Sequence, residues 1–220
     1  MNKANYQNLT AVLVHAAWAD LSSWNAVTRP LQNLGLRVKS AQIPLTSLGE
    51  DVAALKRLLR QVDGPVVLAG HSYAGAVITA AGADNPNVKA LVYVSAIAPD
   101  EGETVGELSH RAEPQPNTRP QFAPDEDGFL WVPSGGFCGC RCARRIGKKT
   151  VLMRVNHRHI ALQCLGVPMT APAWKQKPSW FLVAEKDRMI SAAMQHFMAE
   201  RTQSTGPFPR HRSYASRVGP

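Results

Sequence analysis

The chain has 220 residues, 45% of them hydrophobic and 19% charged, which fits one globular domain and excludes a disordered chain. No apolar run approaches the ~20 residues that span a bilayer, and MNKANYQNLT at the start lacks the apolar core of a signal peptide, so a soluble, cytoplasmic protein without a membrane partner is expected. The net charge of +9 is concentrated: residues 134–158 hold seven Lys/Arg and no acid, residues 201–220 four Arg and no acid, and the remainder is near −2, which argues against a nucleic-acid-binding face.

LTAVLVH (9–15) is a β-branched apolar run and is predicted to be a buried strand. SSWNAVTRPLQNLG (22–35) opens on cap-forming serines and closes on Gly35, which predicts a helix despite Pro30. LRVKSAQ (36–42) reads as a strand. GEDVAALKRLLRQVDG (49–64) sets Val52, Leu55, Leu58, Leu59 and Val62 at helical spacing, with acids first and bases later, as a helix dipole favours. PVVLAG (65–70) is a short strand apolar on both sides, YAGAVITAAGAD (73–84) a small-residue helix, and VKALVYVSAIA (88–98) a further strand. SWFLVAE (179–185) and ISAAMQHFMAER (190–201) repeat the strand–helix pattern. Such alternation predicts a single α/β domain over 1–220 with a parallel sheet and right-handed crossovers. The intervening stretch, 99–176, is rich in Pro, Gly and charge, and a segment of that length after a central strand reads as a lid over a site.

Cys138, Cys140 and Cys142 form CGCRC, which lacks the paired C-x-x-C spacing of structural zinc sites; no metal is expected. Cys164 sits in an apolar stretch and reads as a buried thiol.

Ligands of open α/β sheets bind at the carboxyl ends of the strands. Gly70-His71-Ser72-Tyr73-Ala74, followed by Gly75, falls where a strand hands over to a helix, the setting in which G-x-S-x-G exposes a nucleophilic serine. Alone, the motif also suits a structural turn. A second constellation is VLVHAAW (12–18), where an early strand ends in a histidine and two small residues. Acyl transfer needs N–H donors aimed at an oxyanion; Tyr73, after the serine, and Ala17, in this loop, are the matching candidates. His15 then reads as a structural loop residue. The third element is Asp187 in VAEKDRMI (183–190), which could orient a histidine or simply cap the following helix.

These stretches, with VKALVYVSAIAPDEGET, GFLWVP and APAWKQKPSWFLVAEKDRMISAAMQHFMAER, resemble the α/β-hydrolase superfamily. The closer similarity is to its small esterase branch, which includes plant methylesterases, hydroxynitrile lyases and bacterial carboxylesterases, some of them pyrethroid-hydrolysing. The resemblance covers most of 9–133 and 159–201. It implies an α/β-hydrolase fold, a mostly parallel sheet flanked by helices with a small lid, and carboxylic-ester hydrolysis through an acyl-enzyme. Ser72 would be the nucleophile, Asp187 the acid, and Ala17 and Tyr73 the backbone oxyanion donors. It implies no metal or organic cofactor, a small apolar or aromatic ester as substrate, and a monomer or homodimer. Trp18, Trp24, Trp131 and Trp174 offer aromatic walls, with core packing expected for at least two. Cyanohydrin cleavage on the same residues, and a catalytically impaired ligand-binding homologue, are the alternatives.

Departures from the family pattern are also informative. Ala16 and Leu21 stand where glycine is common, and an alanine is strained if position 16 needs a positive φ. The family places its base in a D-H-x-P-like stretch before a last helix, whereas this chain reads TQSTGPFPRHRSYASRVGP. His196 falls mid-helix and reads as a surface residue; His71 flanks the nucleophile; His110, His157 and His159 fall in or beside the lid. By elimination, His211 is the candidate base. Residues 134–149 and 202–220 change composition abruptly, as an altered reading frame would, so a poorly ordered part of the lid and an atypical, incomplete end to the fold are expected.

Overall fold

The computed structural model describes residues 6, 8–111, 122–132, 155–187 and 189–202. In chain order these form β1 (Thr10–Val14), α1 (Asn25–Asn33), β2 (Arg37–Ala41), α2 (Leu48–Leu59), β3 (Val66–His71), α3 (Ala74–Ala81), β4 (Val88–Val94), α4 (Val105–Arg111), β5 (Phe129–Leu130), β6 (Ile160–Ala161), β7 (Ser179–Leu182) and α5 (Ala192–Arg201). Five strands make one parallel sheet in the order β2-β1-β3-β4-β7. Strand β1, flanked on both sides, is buried along its whole length, while the edge strand β2 alternates between exposed and half-buried positions up to the buried Ala41, as covered and edge strands should.

Each predicted strand and helix of this sheet is present, with ends trimmed by a few residues. A short 3-10 turn, Leu21–Trp24, leads into α1, where Pro30 is accommodated. Helix α2 starts at Ser47, whose hydroxyl accepts the Glu50 N–H at 3.1 Å, a side-chain N-cap. Helix α3 is nearly all small residues and is buried from Ala74 to Thr79, which lets its backbone lie close against the turn after β4.

The 99–176 excursion carries more regular structure than its composition suggests. Thr104 and Glu107 form a reciprocal capping box at the start of α4, with Glu107 N–H on the Thr104 hydroxyl and Thr104 N–H on the Glu107 carboxylate (3.1 and 2.9 Å). β5 and β6 pair antiparallel, Phe129 opposite Ala161 and Leu130 opposite Ile160; at two residues each, they are too short to show a sequence period. Residues in and around β6 are fastened to the loop after β2. Arg158 donates to the carbonyls of Ile43 (2.7 Å) and Pro44 (3.1 Å), Ala161 N–H to that of Leu45 (2.9 Å), and the Gln163 amide to that of Thr46 (2.6 Å). Cys138, Cys140, Cys142, the basic stretch 134–149 and residues 203–220 lie outside the described residues. Cys164 is fully buried, as expected.

Candidate functional site

Ser72, Ala17 and Asp187 follow the carboxyl ends of β3, β1 and β7, so the sheet brings all three to the same rim. Ser72 sits at φ +54°, in the left-handed region that costs a non-glycine residue free energy and persists only where neighbours over-determine it. Those neighbours are backbone groups: Ser72 N–H donates to the Val94 carbonyl (3.3 Å), and its own carbonyl accepts from Gly75 and Ile97 N–H (3.0 Å each). Gly70 and Gly75 make the turn fit. A Cβ on Gly70 would lie 2.7 Å from the Ala74 oxygen, and one on Gly75 2.3 Å from the Ile97 oxygen. Ala74 occupies the remaining small position without penalty, fully buried. Ser72 itself is partly exposed.

The loop after β1 is held from both ends. Ile43 N–H donates to His15 Nε2 (3.2 Å), so the proton is on Nδ1 and is given to the Ala16 carbonyl (2.9 Å). His15 is wholly buried, and with its only lone pair occupied it is structural, in keeping with the sequence reading. The positive φ expected to trouble Ala16 falls instead on Trp18 (+57°), so Ala16 fits without glycine. The Trp18 indole donates to the Leu130 carbonyl (3.0 Å) and stacks on Phe122 with ring centroids 4.6 Å apart, which ties this loop to the segment ahead of β6. Neither the Ala17 nor the Tyr73 N–H donates to another of the described residues.

Asp187 is not a helix cap. Ser191 fills that role for α5, accepting from Met194 N–H at 3.2 Å, while Asp187 Oδ1 accepts from the N–H groups of Met189 (2.7 Å) and Ile190 (3.2 Å). Its Oδ2 receives the Gln195 amide (3.3 Å). Gln195 was not singled out in the sequence, yet it is fully buried and braces the whole loop, donating to the Ile190 carbonyl (2.8 Å) and accepting from Ala184 N–H (2.9 Å). A polar residue within an otherwise helical apolar pattern was the available signal.

His71 lies edge-on to Trp24, with centroids 6.5 Å apart. Burial pushes its imidazole below the ordinary range, and the Asp187 charge opposes this. Burial likewise lowers His15, opposed by its bond to the Ala16 carbonyl and reinforced by the Arg158 charge. His196 is at the surface beside Glu185 (3.1 Å). His157 Nε2 accepts from Val132 N–H (3.1 Å), and His159 packs against Phe129 and Trp131. His211 lies outside the described residues. Of the four tryptophans that could wall a site, out of five in the chain, Trp24 is in the core, Trp174 bonds the Pro99 carbonyl beneath Arg201, Trp18 stacks on Phe122, and Trp131 stays exposed after β5.

The depressed histidines His15 and His71, with His157 also lowered by burial, set a pH dependence of stability. Each binds a proton more readily when unfolded, so its contribution is intact above its unfolded value of ~6.5 and is lost as the pH falls toward its folded value. Asp51, raised mainly by burial, works oppositely: its contribution is complete below its unfolded value and is lost as the pH rises through its folded one. Thermal melts are expected to show stability falling from pH 7 to pH 5, by at most about 1.4 kcal/mol per pH unit for each histidine, with a shallower slope in His71→Gln. A slope unchanged by that substitution contradicts the assignment.

A parallel sheet with a serine on a left-handed turn between its central strand and the next helix defines the α/β-hydrolase fold. The alpha/beta hydrolase family matches residues 11–213, and the chain belongs to that family. It is 32% identical over 144 residues to a carbendazim hydrolyzing esterase of Nocardioides sp. (strain SG-4G), an alignment covering 58% of this chain and 57% of that protein; the chain thus matches little more than half the length of this curated relative. Among solved structures, a pyrethroid hydrolase from Sphingobium faniae JZ-2 superposes with a TM-score of 0.72 at 19% identity, covering 90% of this chain and 86% of that one. Polyneuridine aldehyde esterase superposes with a TM-score of 0.71 at 15% identity, covering 90% and 89%. At these identities the structures speak for the fold alone. Among the described residues no helix is long and apolar enough to cross a membrane.

Proposed function

We propose that the protein is a serine hydrolase that cleaves small carboxylic esters through an acyl-enzyme. The observation that carries this reading is the strained Ser72 backbone, φ +54°, held between two glycines that admit no Cβ: a nucleophile elbow that aims the oxygen away from the sheet. Ser72 Oγ attacks the ester carbonyl as His211 takes its proton, and Asp187 orients that imidazole and stabilises its charged form. The N–H groups of Ala17 and Tyr73 receive the oxyanion. The tetrahedral intermediate collapses, the imidazolium protonates the departing alcohol, and a water activated by the same imidazole releases the acid. The stacked Trp18 and Phe122 beside the oxyanion loop support an apolar or aromatic ester, and the esterase names of the relatives support the bond type.

The test is labelling of Ser72 by a fluorophosphonate, read by mass spectrometry of the tryptic peptide, in the wild type and in His211→Ala. Rapid labelling slowed by roughly 100-fold in the variant, the lower end of what a general base contributes, is expected. No labelling in the wild type overturns the hydrolase reading; equal rates in both proteins remove His211 from it.

A further inference from the structure

Asp51 is a carboxylate with no role in the reaction just proposed, and it is entirely buried. It stands in the first turn of α2, in line with Leu55 and Leu59 on the helix face turned to the core. An isolated buried charge is costly, and replacing a buried polar group by a well-packed apolar one is often neutral or better, so its partners bear on its purpose. Oδ1 accepts the Leu45 N–H at 2.6 Å and Oδ2 accepts the Tyr73 hydroxyl at 2.7 Å, with Cys164 Sγ 3.9 Å from Oδ2. Every partner can donate, which suits an acceptor-only carboxylate. Burial and the neighbouring carboxylate push the phenol far above its ordinary range, so Tyr73 remains a donor.

Tyr73 is the residue after Ser72, and its side chain therefore leaves the elbow one bond from the backbone N–H that faces the oxyanion. We propose that Asp51 is a positioning residue for this donor: it grips Tyr73 by the phenol and so holds the Ser72–Tyr73 turn in register. Three features make this more than a cross-link in the core. The turn it grips is the strained one, at φ +54°, and would relax if released. Tyr73 is pinned at its other end too, its carbonyl accepting from Ala76 N–H at 3.0 Å, so the phenol and the helix start together define its placement. The second oxygen of Asp51 holds Leu45, itself at φ +65° and bonded through its carbonyl to the lid residue Ala161 (2.9 Å). One carboxylate thereby references the elbow and the lid seam to the same helix. The inference rests on the serine-hydrolase reading and deepens it.

The experiment compares Tyr73→Phe, which removes a single oxygen, with Asp51→Asn and the double variant. A p-nitrophenyl ester serves as substrate, a trifluoromethyl ketone as a tetrahedral mimic of the bound oxyanion, and amide hydrogen exchange at Tyr73 is followed by NMR. A misaimed donor is expected to lower kcat on the order of tenfold with KM unchanged. Trifluoromethyl ketone binding should weaken by a similar factor, and the double variant should be no worse than the poorer single one, because both remove the same grip. Faster Tyr73 amide exchange, beyond any change in global stability, is expected in both single variants. Retained kcat and inhibitor binding with only a lowered melting temperature show a core cross-link and overturn the proposal. If the wild type has no Ser72-dependent turnover, the hydrolase reading fails on its own, and the exchange data still decide: an unchanged Tyr73 amide overturns the positioning role as well.

Discussion

Gly75→Ala is expected to lose nearly all activity and a substantial part of its stability, although the change adds one methyl group in a helix, where alanine normally has the advantage. The added Cβ would meet the Ile97 oxygen at 2.3 Å, the Ala96 Cβ at 2.8 Å and the Ile97 nitrogen at 3.0 Å. These are backbone or backbone-adjacent atoms that no rotamer change can clear. Relief requires α3 to retreat from the turn after β4, or that turn to move out. Either shift strains the bond from Ile97 N–H to the Ser72 carbonyl and carries the serine with it. Overpacking of this kind typically costs about 1–3 kcal/mol, and a displacement of ~1 Å at a reacting atom costs on the order of 100-fold in rate. The check is a melt and a kcat measurement on the same preparation. The control is Ala80→Gly, at a partly exposed position on the same helix, expected to lower stability by roughly 1 kcal/mol with kcat retained. Gly75→Ala behaving like the wild type would show that the turn is far more compliant than its contacts suggest.

Ser72→Ala is expected to remove ester turnover by a factor of ~10⁴–10⁶, leaving only what the oxyanion donors and binding provide. Stability should move the other way or stay level. The hydroxyl has no hydrogen-bond partner among the described residues, and the φ +54° backbone is as strained for alanine as for serine. That opposition, a large catalytic loss without a thermal one, separates a nucleophile from a turn-forming serine. Steady-state hydrolysis of a p-nitrophenyl ester alongside circular dichroism supplies both numbers. Residual turnover within tenfold of the wild type would make Ser72 a structural residue.

The legible part of this protein was what repeats along the chain. The apolar runs at Thr10–Val14, Val66–His71 and Val88–Val94 announce strands of the sheet, and the glycines around Ser72 announce a turn with no room for side chains. Local patterns could not show where a polar side chain points once the helices pack. The sequence shows Asp51 only as one of the acids that open 49–64, where an acid suits the helix dipole; in the fold it shares the inward stripe with Leu55 and Leu59, and its spacing of four and eight residues from them is the clue in the sequence. Asp187 and Ser191 are both cap-type residues ahead of one helix, and only the hydrogen bonds distinguish the Asx-type turn of the first from the cap of the second. The charge-rich segments misled differently. Arg158 and Arg201, counted within basic stretches, spend their guanidinium groups inside the molecule. Arg158 bonds the Ile43 and Pro44 carbonyls, and Arg201 bonds the Glu103 carboxylate (2.7 Å) and the Ala98 carbonyl.

The seam at Ile43–Thr46 bears on how the 99–176 segment can be exchanged. Four successive carbonyls there are claimed by residues from 158–163, and the first of those residues, Arg158, also reaches within 3.5 Å of His15. A chimera that imports a foreign 99–176 alone would leave this row of acceptors, Ile43 and Leu45 among the buried residues, facing side chains chosen for another loop, and a buried carbonyl left unpaired is penalised. The exchangeable unit is therefore discontinuous, that segment together with the short loop after β2. Laboratory recombination of this segment would have to place its crossovers around both.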